Sequence, residues 1–258
     1  MTVTGDFSGH SLLAVFAHPD DESIACGGLL ARCAELGARV SLICVTHGEG
    51  GNGAPAGELG RIRAGELEAA ARILGVAEVV LLDYQDGFLP WVDGTELEQR
   101  LATEIRRIAP DVVITFGSDG LYWHPDHIAV HERTTAAVAS LGRTAPALYY
   151  VTMPPGLMRA LAETYPPDGR TPDATATILG VSDPDAFGAA AQPPTLIIDT
   201  GAGAAAKLAA LKCHRTQIAS GVIGRIPDGE VPRLLSVEYF HRAPVGSAGE
   251  AFIERLAR

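Results

Sequence analysis

The sequence predicts an α/β fold, a three-layer sandwich in which helices cover both faces of a mostly parallel, doubly wound sheet. Three observations carry that prediction. Short apolar runs alternate with helix-periodic segments as far as Val151. Two runs of one pattern, His18-Pro19-Asp20-Asp21 and His124-Pro125-Asp126-His127, each follow an expected strand and open an expected helix. No internal repeat or linker divides the chain, so residues 1–258 read as a single domain.

The elements follow in order. Leu12 to Ala17 is an apolar run of strand length, and a helix from Pro19 to Leu36 ends at Gly37, a residue suited to a left-handed helix stop. Arg39 to Val45 is the second strand, and Gly48 to Gly57 a glycine-rich loop. Ile62, Leu67, Ala70, Ala71 and Leu74 recur at helical spacing, giving a helix over Leu59 to Leu74 stopped by Gly75. Val79 to Leu82 is the third strand, Leu97 to Ile108 a helix closed by Pro110, and Asp111 to Phe116 the fourth strand. The second histidine run opens a helix over Pro125 to Ala139, and Ala147 to Val151 is the fifth strand. Residues 153–194, rich in Pro, Gly and Asp, read as an irregular insertion on the substrate side. Beyond it the pattern gives a strand over Thr195 to Asp199, one helix over Ala204 to Ile218 and a late strand over Leu234 to Tyr239.

Strand–helix alternation of this kind implies right-handed crossovers and a parallel sheet. In the common order 3-2-1-4-5 the winding reverses between strands 1 and 4, and ligands bind at the strand ends flanking the reversal. Both histidine runs follow those two strands, so topology brings them to one crevice.

Composition narrows the function classes. The chain has 31 acidic and 20 basic residues, a net charge of −11, which repels phosphate backbones and argues against nucleic acid as partner. The apolar runs are far below membrane-spanning length. The polar start, Met1 to Gly9, lacks a secretory pattern, so a cytoplasmic enzyme is expected. Cys26, Cys33, Cys44 and Cys213 form no close pair and read as reduced packing residues.

A proline at a helix start with acids beside it also makes an ordinary helix N-terminus. Two such runs, each carrying histidine and both at the expected reversal, favour a site instead. With the histidines as N-caps, Asp21 and His127 both fall at the third helical position, and His18 adds a third donor. Two imidazoles and a carboxylate with a fourth position open is the donor set of a catalytic zinc ion. Asp20 can then serve as general base. Asp126 can orient His124, which stabilises an oxyanion or protonates a leaving group. His131 lies one helical turn beyond His127, about 6 Å along the axis, and reads as packing or surface. His47 either lines the pocket or has no role, and His10 and His241 carry no signal. No GxGxxG follows strand 1, and no Gly-Lys-Ser/Thr follows the Gly48 to Gly53 cluster, so neither a dinucleotide nor a P-loop nucleotide is expected.

The run Ala17-His18-Pro19-Asp20-Asp21-Glu22, with His124-Pro125-Asp126-His127, resembles the PIG-L/LmbE-like family of zinc-dependent N-deacetylases. The likeness continues through Thr46-His47-Gly48-Glu49-Gly50-Gly51, through residues 61–71, and ends at Lys212-Cys213-His214-Arg215-Thr216-Gln217. The resemblance implies a Rossmann-like fold that removes an acetyl group from an amino sugar, usually N-acetylglucosamine within a conjugate. It implies one Zn²⁺ per chain on His18, Asp21 and His127, other divalent metals fitting the same donors. Asp20 is then the base, and His124 and Tyr122 assist at the reacting carbonyl. Arg63 and Asp86 bind the sugar, and His214 lines the pocket. Family members form various assemblies, so a homo-oligomer stays open. Three positions depart from the family pattern: His47, where Asp is frequent; Trp123, where Gly is frequent; and Thr216, where Ser is usual. The rival readings are an amidase acting on a larger acyl or thiol conjugate, and a non-catalytic Rossmann-type ligand-binding protein.

Overall fold

A computed structural model describes residues 5–51, 53, 55, 57–166 and 177–257. Parts of the expected insertion (167–176), of the glycine-rich loop (52, 54 and 56) and of the N-terminus (1–4) lie outside the described residues. The chain runs β1 (Ser11–Phe16), α1 (Asp21–Glu35), β2 (Arg39–Thr46), α2 (Leu59–Ile73), β3 (Glu78–Tyr84), α3 (Gly94–Ile108) and β4 (Val112–Phe116). It continues through α4 (Gly120–Trp123), α5 (Pro125–Ser140), β5 (Ala147–Thr152), α6 (Leu157–Thr164), β6 (Leu196–Asp199), α7 (Ala204–Leu211) and β7 (Val237–Gly246). Among the described residues no helix is long and apolar enough to cross a membrane.

The seven strands form one sheet in the order β3-β2-β1-β4-β5-β7-β6. The first five are parallel, with Leu12 of β1 between Val40 of β2 and Val112 of β4. This is the expected 3-2-1-4-5 core, extended by antiparallel pairing of β7 with both β5 and β6. Strands β1, β2 and β4 are buried on both faces and accordingly read as continuous apolar runs rather than alternating ones. On one side α7 packs against α1 and α2; on the other α3 packs against α5. Phe16 and Phe116, at the ends of the two central strands, meet edge to face with ring centroids 4.9 Å apart. They form an apolar floor beneath the crevice where the winding reverses.

Several element boundaries differ from expectation. Helix α1 begins at Asp21 rather than Pro19, because Asp20 (φ 113, ψ −28) is its N-cap. The same helix is kinked at Cys26 (φ −149). Beyond the kink the Gly28 and Leu29 amides donate to the Glu238 carboxylate at 2.9 and 2.8 Å, an internal N-cap from β7. The expected helix over Ala204 to Ile218 breaks at Lys212-Cys213-His214, after which a separate turn, Arg215–Ile218, begins. The late strand starts at Val237 and runs ten residues, while Leu234 closes a helical turn. Helices α4 and α6 were not among the expected elements, and α6 lies inside the segment expected to be irregular.

Candidate metal and active site

Side chains of three residues meet between the two histidine turns. His18 Nδ1 is 3.2 Å from His127 Nε2 and 3.4 Å from Asp21 Oδ2, and His127 Nε2 is 3.3 Å from Asp21 Oδ1. Donors about 2.0–2.1 Å from a tetrahedral Zn²⁺ stand about 3.3 Å apart, so these spacings fit one ion. The tautomers agree with that fit. His18 Nε2 faces Asp86 Oδ1 at 2.9 Å and Asp126 Oδ2 at 3.2 Å, so in the neutral ring the proton belongs there and the Nδ1 lone pair would face inward. His127 Nδ1 donates to the Gly120 carbonyl at 3.0 Å, leaving its Nε2 lone pair aimed at the same point. Two imidazole nitrogens and a carboxylate face one point, all three residues buried, and make up a donor set that could hold a cation. Two further groupings share the neighbourhood: His18, His124 and His127, and His18, Asp86 and Asp126, each with ligand atoms within 4.8 Å of one another.

The electrostatics favour positive charge at this point. Burial alone would depress His18, but its hydrogen bonds to Asp126, Asp21 and Asp86 outweigh that and raise its pKa well above the usual range. Burial pushes His127 down to about 3, against the pull of Asp21, so it is held neutral. Burial would raise Asp21; the two neighbouring imidazoles and the hydrogen bonds from His18 overcome it and keep it ionised.

Helix starts place the ligands, though the two turns are not alike. His124 is the N-cap of α5, its Nδ1 accepting the Asp126 N–H at 3.2 Å, and His127 is then the third helical residue as expected. In the first turn Asp20 caps α1, so Asp21 is the first helical residue rather than the third. The ring of His127 lies between two neighbours, stacked on Phe116 at 4.0 Å and on His124 at 4.4 Å.

Asp20 lies beside this centre on the wall of an open cleft of about 610 Å³. Its backbone occupies the left-handed region, which costs a non-glycine residue on the order of 1–3 kcal/mol and persists only where the surroundings enforce it. Burial, opposed by the nearby Arg63 and reinforced by Asp21, raises its carboxyl to about 7. His124 also lines the cleft. Because its Nδ1 accepts a backbone N–H, the neutral ring carries its proton on Nε2 and is a donor. Burial and the charge of His18 lower its pKa. Tyr122 lines the cleft too, its ring 5.8 Å from that of His124 and 5.2 Å from that of His127.

Other expected site residues sit differently. Asp126 does not touch the His124 ring with its carboxylate. It is fully buried and accepts from His18 and from the Gly87 and Leu89 amides at 2.7 and 3.2 Å, fastening the turn after β3 to the site. A carboxylate in the first turn of α5 points across to that turn, out of reach of its own N-cap ring. Asp86 lines the cleft, with one oxygen on His18 and the other accepting the Gly50 N–H at 2.9 Å. The Arg63 guanidinium is buried and bonds the Pro19 and Gly48 carbonyls at 2.6 and 2.7 Å and Asp20 Oδ2 at 3.2 Å. Gly48 has φ 67, and a Cβ there would stand 2.4 Å from that guanidinium, so the loop needs glycine at this position. His214 is fully buried and is absent from the cleft wall; its Nε2 faces Glu22 at 2.8 Å. His47 pairs with Asp83 away from the cleft, and His131 bonds the Phe116 carbonyl and packs on Tyr150. Reading the sequence missed Phe88, Gln217 and Leu179 to Val181 as cleft residues. Gln217 alone carried a signal, as the last residue of the late motif.

The chain is similar to known proteins over most of its length. Residues 13–138 match the family described as "PIG-L: GlcNAc-PI de-N-acetylase". The chain is 33% identical to 1D-myo-inositol 2-acetamido-2-deoxy-alpha-D-glucopyranoside deacetylase 2 of Catenulispora acidiphila, over 90% of this chain and 88% of that protein. It is 34% identical to the deacetylase of the same substrate name from Rhodococcus erythropolis, over 94% and 95%. Among solved structures it resembles a conserved protein of Thermus thermophilus, with TM-score 0.63 and 25% identity over 93% of this chain and 97% of that one. With the paired histidine turns, the convergent donors and full-length likeness to these deacetylases together, the chain belongs to the PIG-L/LmbE-like deacetylase family.

Proposed function

We propose that this protein is a zinc-dependent deacetylase that hydrolyses the acetamide of an N-acetylglucosamine-type conjugate. The observation that carries the reading is the convergence of His18 Nδ1, His127 Nε2 and the Asp21 carboxylate within 3.2–3.4 Å of one another. Zn²⁺ held by these three residues would supply Lewis acidity and lower the pKa of a bound water. Asp20, on the cleft wall beside them, takes a proton from the attacking water and passes it toward the leaving amine. His124 presents its Nε2–H to the oxyanion that develops on the acetyl carbonyl, and Tyr122 closes that side of the cleft. Arg63 holds the Pro19 and Gly48 carbonyls and so fixes the two loops around Asp20. Asp86 and Gln217 offer polar contacts to sugar hydroxyls from the cleft wall.

Two findings support an amino-sugar substrate over a larger acyl conjugate. The polypeptide aligns over most of its length with deacetylases named for a glucosaminyl inositol. The cleft is as much polar as apolar, with Asp20, Arg63, Asp86, His124 and Gln217 on its wall, which suits a hydroxylated ring. The test is release of acetate from a panel of N-acetylglucosaminyl conjugates, including one bearing inositol, beside long-chain acyl amides, each with and without chelator. Chelator-sensitive turnover confined to the acetylated sugars supports the reading. Turnover of the acyl amides alone would replace it with an amidase, and binding without turnover by zinc-loaded protein would replace it with a binding protein.

A further inference from the structure

The late motif around His214 takes no part in the chemistry proposed above, yet its histidine is fully buried against the first turn of α1. Asp20 stands at φ 113, a conformation L side chains rarely adopt, so something must hold it there. Its N–H donates to Glu22 Oε2 at 3.1 Å. The other carboxylate oxygen of Glu22, Oε1, receives the Ser23 hydroxyl at 2.5 Å and His214 Nε2 at 2.8 Å. Glu22, Ser23 and His214 are all buried. The break in the C-terminal helix at Lys212-Cys213-His214 is what lets this ring reach α1. The turn after the break is anchored in its own right, since Thr216 donates from N and Oγ1 to Glu66 of α2 at 3.0 and 2.7 Å.

From this chain of contacts we infer that Glu22 and His214 are a positioning pair, which holds the Asp20 peptide in its left-handed conformation and so directs the Asp20 carboxylate into the cleft. A bare carboxylate buried at a helix start would be free to turn toward the other first-turn amides. His214 fixes Oε1, so only Oε2 is left for the Asp20 N–H, and the peptide that meets it has one orientation. Arg63 grips the same segment from the other side through the Pro19 carbonyl. The inference rests on the reading of Asp20 as the general base.

The test uses zinc-loaded Glu22→Gln, His214→Ala and His214→Gln beside wild type and Asp20→Asn. Gln at position 214 can place an amide N–H near the position of the imidazole Nε2, so it is the conservative variant. The expected result is a kcat reduced on the order of 10- to 100-fold in Glu22→Gln and His214→Ala. KM stays within about threefold of wild type, zinc remains at one per chain, and His214→Gln recovers most of the lost kcat. The second readout needs no turnover: a crystal structure of Glu22→Gln should show Asp20 out of the positive-φ region. Unchanged kcat in folded, zinc-loaded Glu22→Gln, or Asp20 retained at positive φ in its crystal structure, would overturn the inference. So would a joint fall of kcat, KM and zinc content in all three variants. If His214→Ala does not fold, Glu22→Gln and His214→Gln carry the test. Full activity in Asp20→Asn would remove the base reading while the crystallographic result still decides what holds the Asp20 backbone.

Discussion

Asp126 and His18 lie 108 residues apart and meet at 3.2 Å between Oδ2 and Nε2. One buried carboxylate thus helps orient the His18 ring and, through the Gly87 and Leu89 amides, fixes the turn that carries Asp86 and Phe88. Replacing Asp126 by Asn removes the charged acceptor behind His18. Zinc affinity should fall on the order of 10-fold, since loss of an outer partner of a ligating histidine typically costs 10- to 100-fold. Competition against a chromogenic chelator measures it, and wild-type affinity in Asp126→Asn would show that Asp86 alone orients the ring.

Asp20→Asn keeps the size of the side chain and removes its basicity. Turnover should fall on the order of 100- to 10,000-fold, while zinc content stays at one per chain. Loss of zinc together with activity would make Asp20 a ligand.

Glu238 accepts from the Gly28 and Leu29 amides and from Lys207 Nζ at 2.6 Å, with both charged side chains buried. Removing one member of a buried pair leaves the other charge uncompensated, typically costing about 3–5 kcal/mol. Glu238→Ala should therefore lower the urea midpoint sharply, with the internal cap of α1 lost as well. A midpoint within error of wild type would mean that neither the cap nor the pair stabilises the kinked helix.

Cys26, Cys33 and Cys44 are buried, and burial raises all three thiols well above their usual range, while Cys213 is partly exposed. A thiol titration of native protein should find one accessible cysteine per chain and four after denaturation. More than one fast thiol in the native state would show that the α1–β2 layer opens.

Much of this arrangement was legible in the sequence because it rests on local patterns. The apolar runs of β1, β2 and β4 and the helical spacing of α2 set the winding, and the winding brought His18 to His127. What stayed hidden depends on partners distant in sequence. Nothing near His214 signals that its ring pairs with Glu22 at 2.8 Å, and helical spacing continues smoothly across the break that makes this contact. Asp126 next to His124 suggested a local pair, but the first turn of α5 points that carboxylate at His18 and at the turn after β3. The departure at Trp123 has a backbone explanation. Its φ is 66, a conformation in which glycine is at ease, and the chain accommodates an indole there by leaving it 54% exposed.

Whether His18, Asp21 and His127 hold one cation is decided by titrating metal-free protein with Zn²⁺ in a calorimeter. One ion per chain is expected, with binding abolished in Asp21→Ala and His127→Ala and retained in His124→Ala. Binding that survives in Asp21→Ala but disappears in His124→Ala would assign the ion to the three histidines and contradict the His18, Asp21 and His127 site, as would no stoichiometric binding at all.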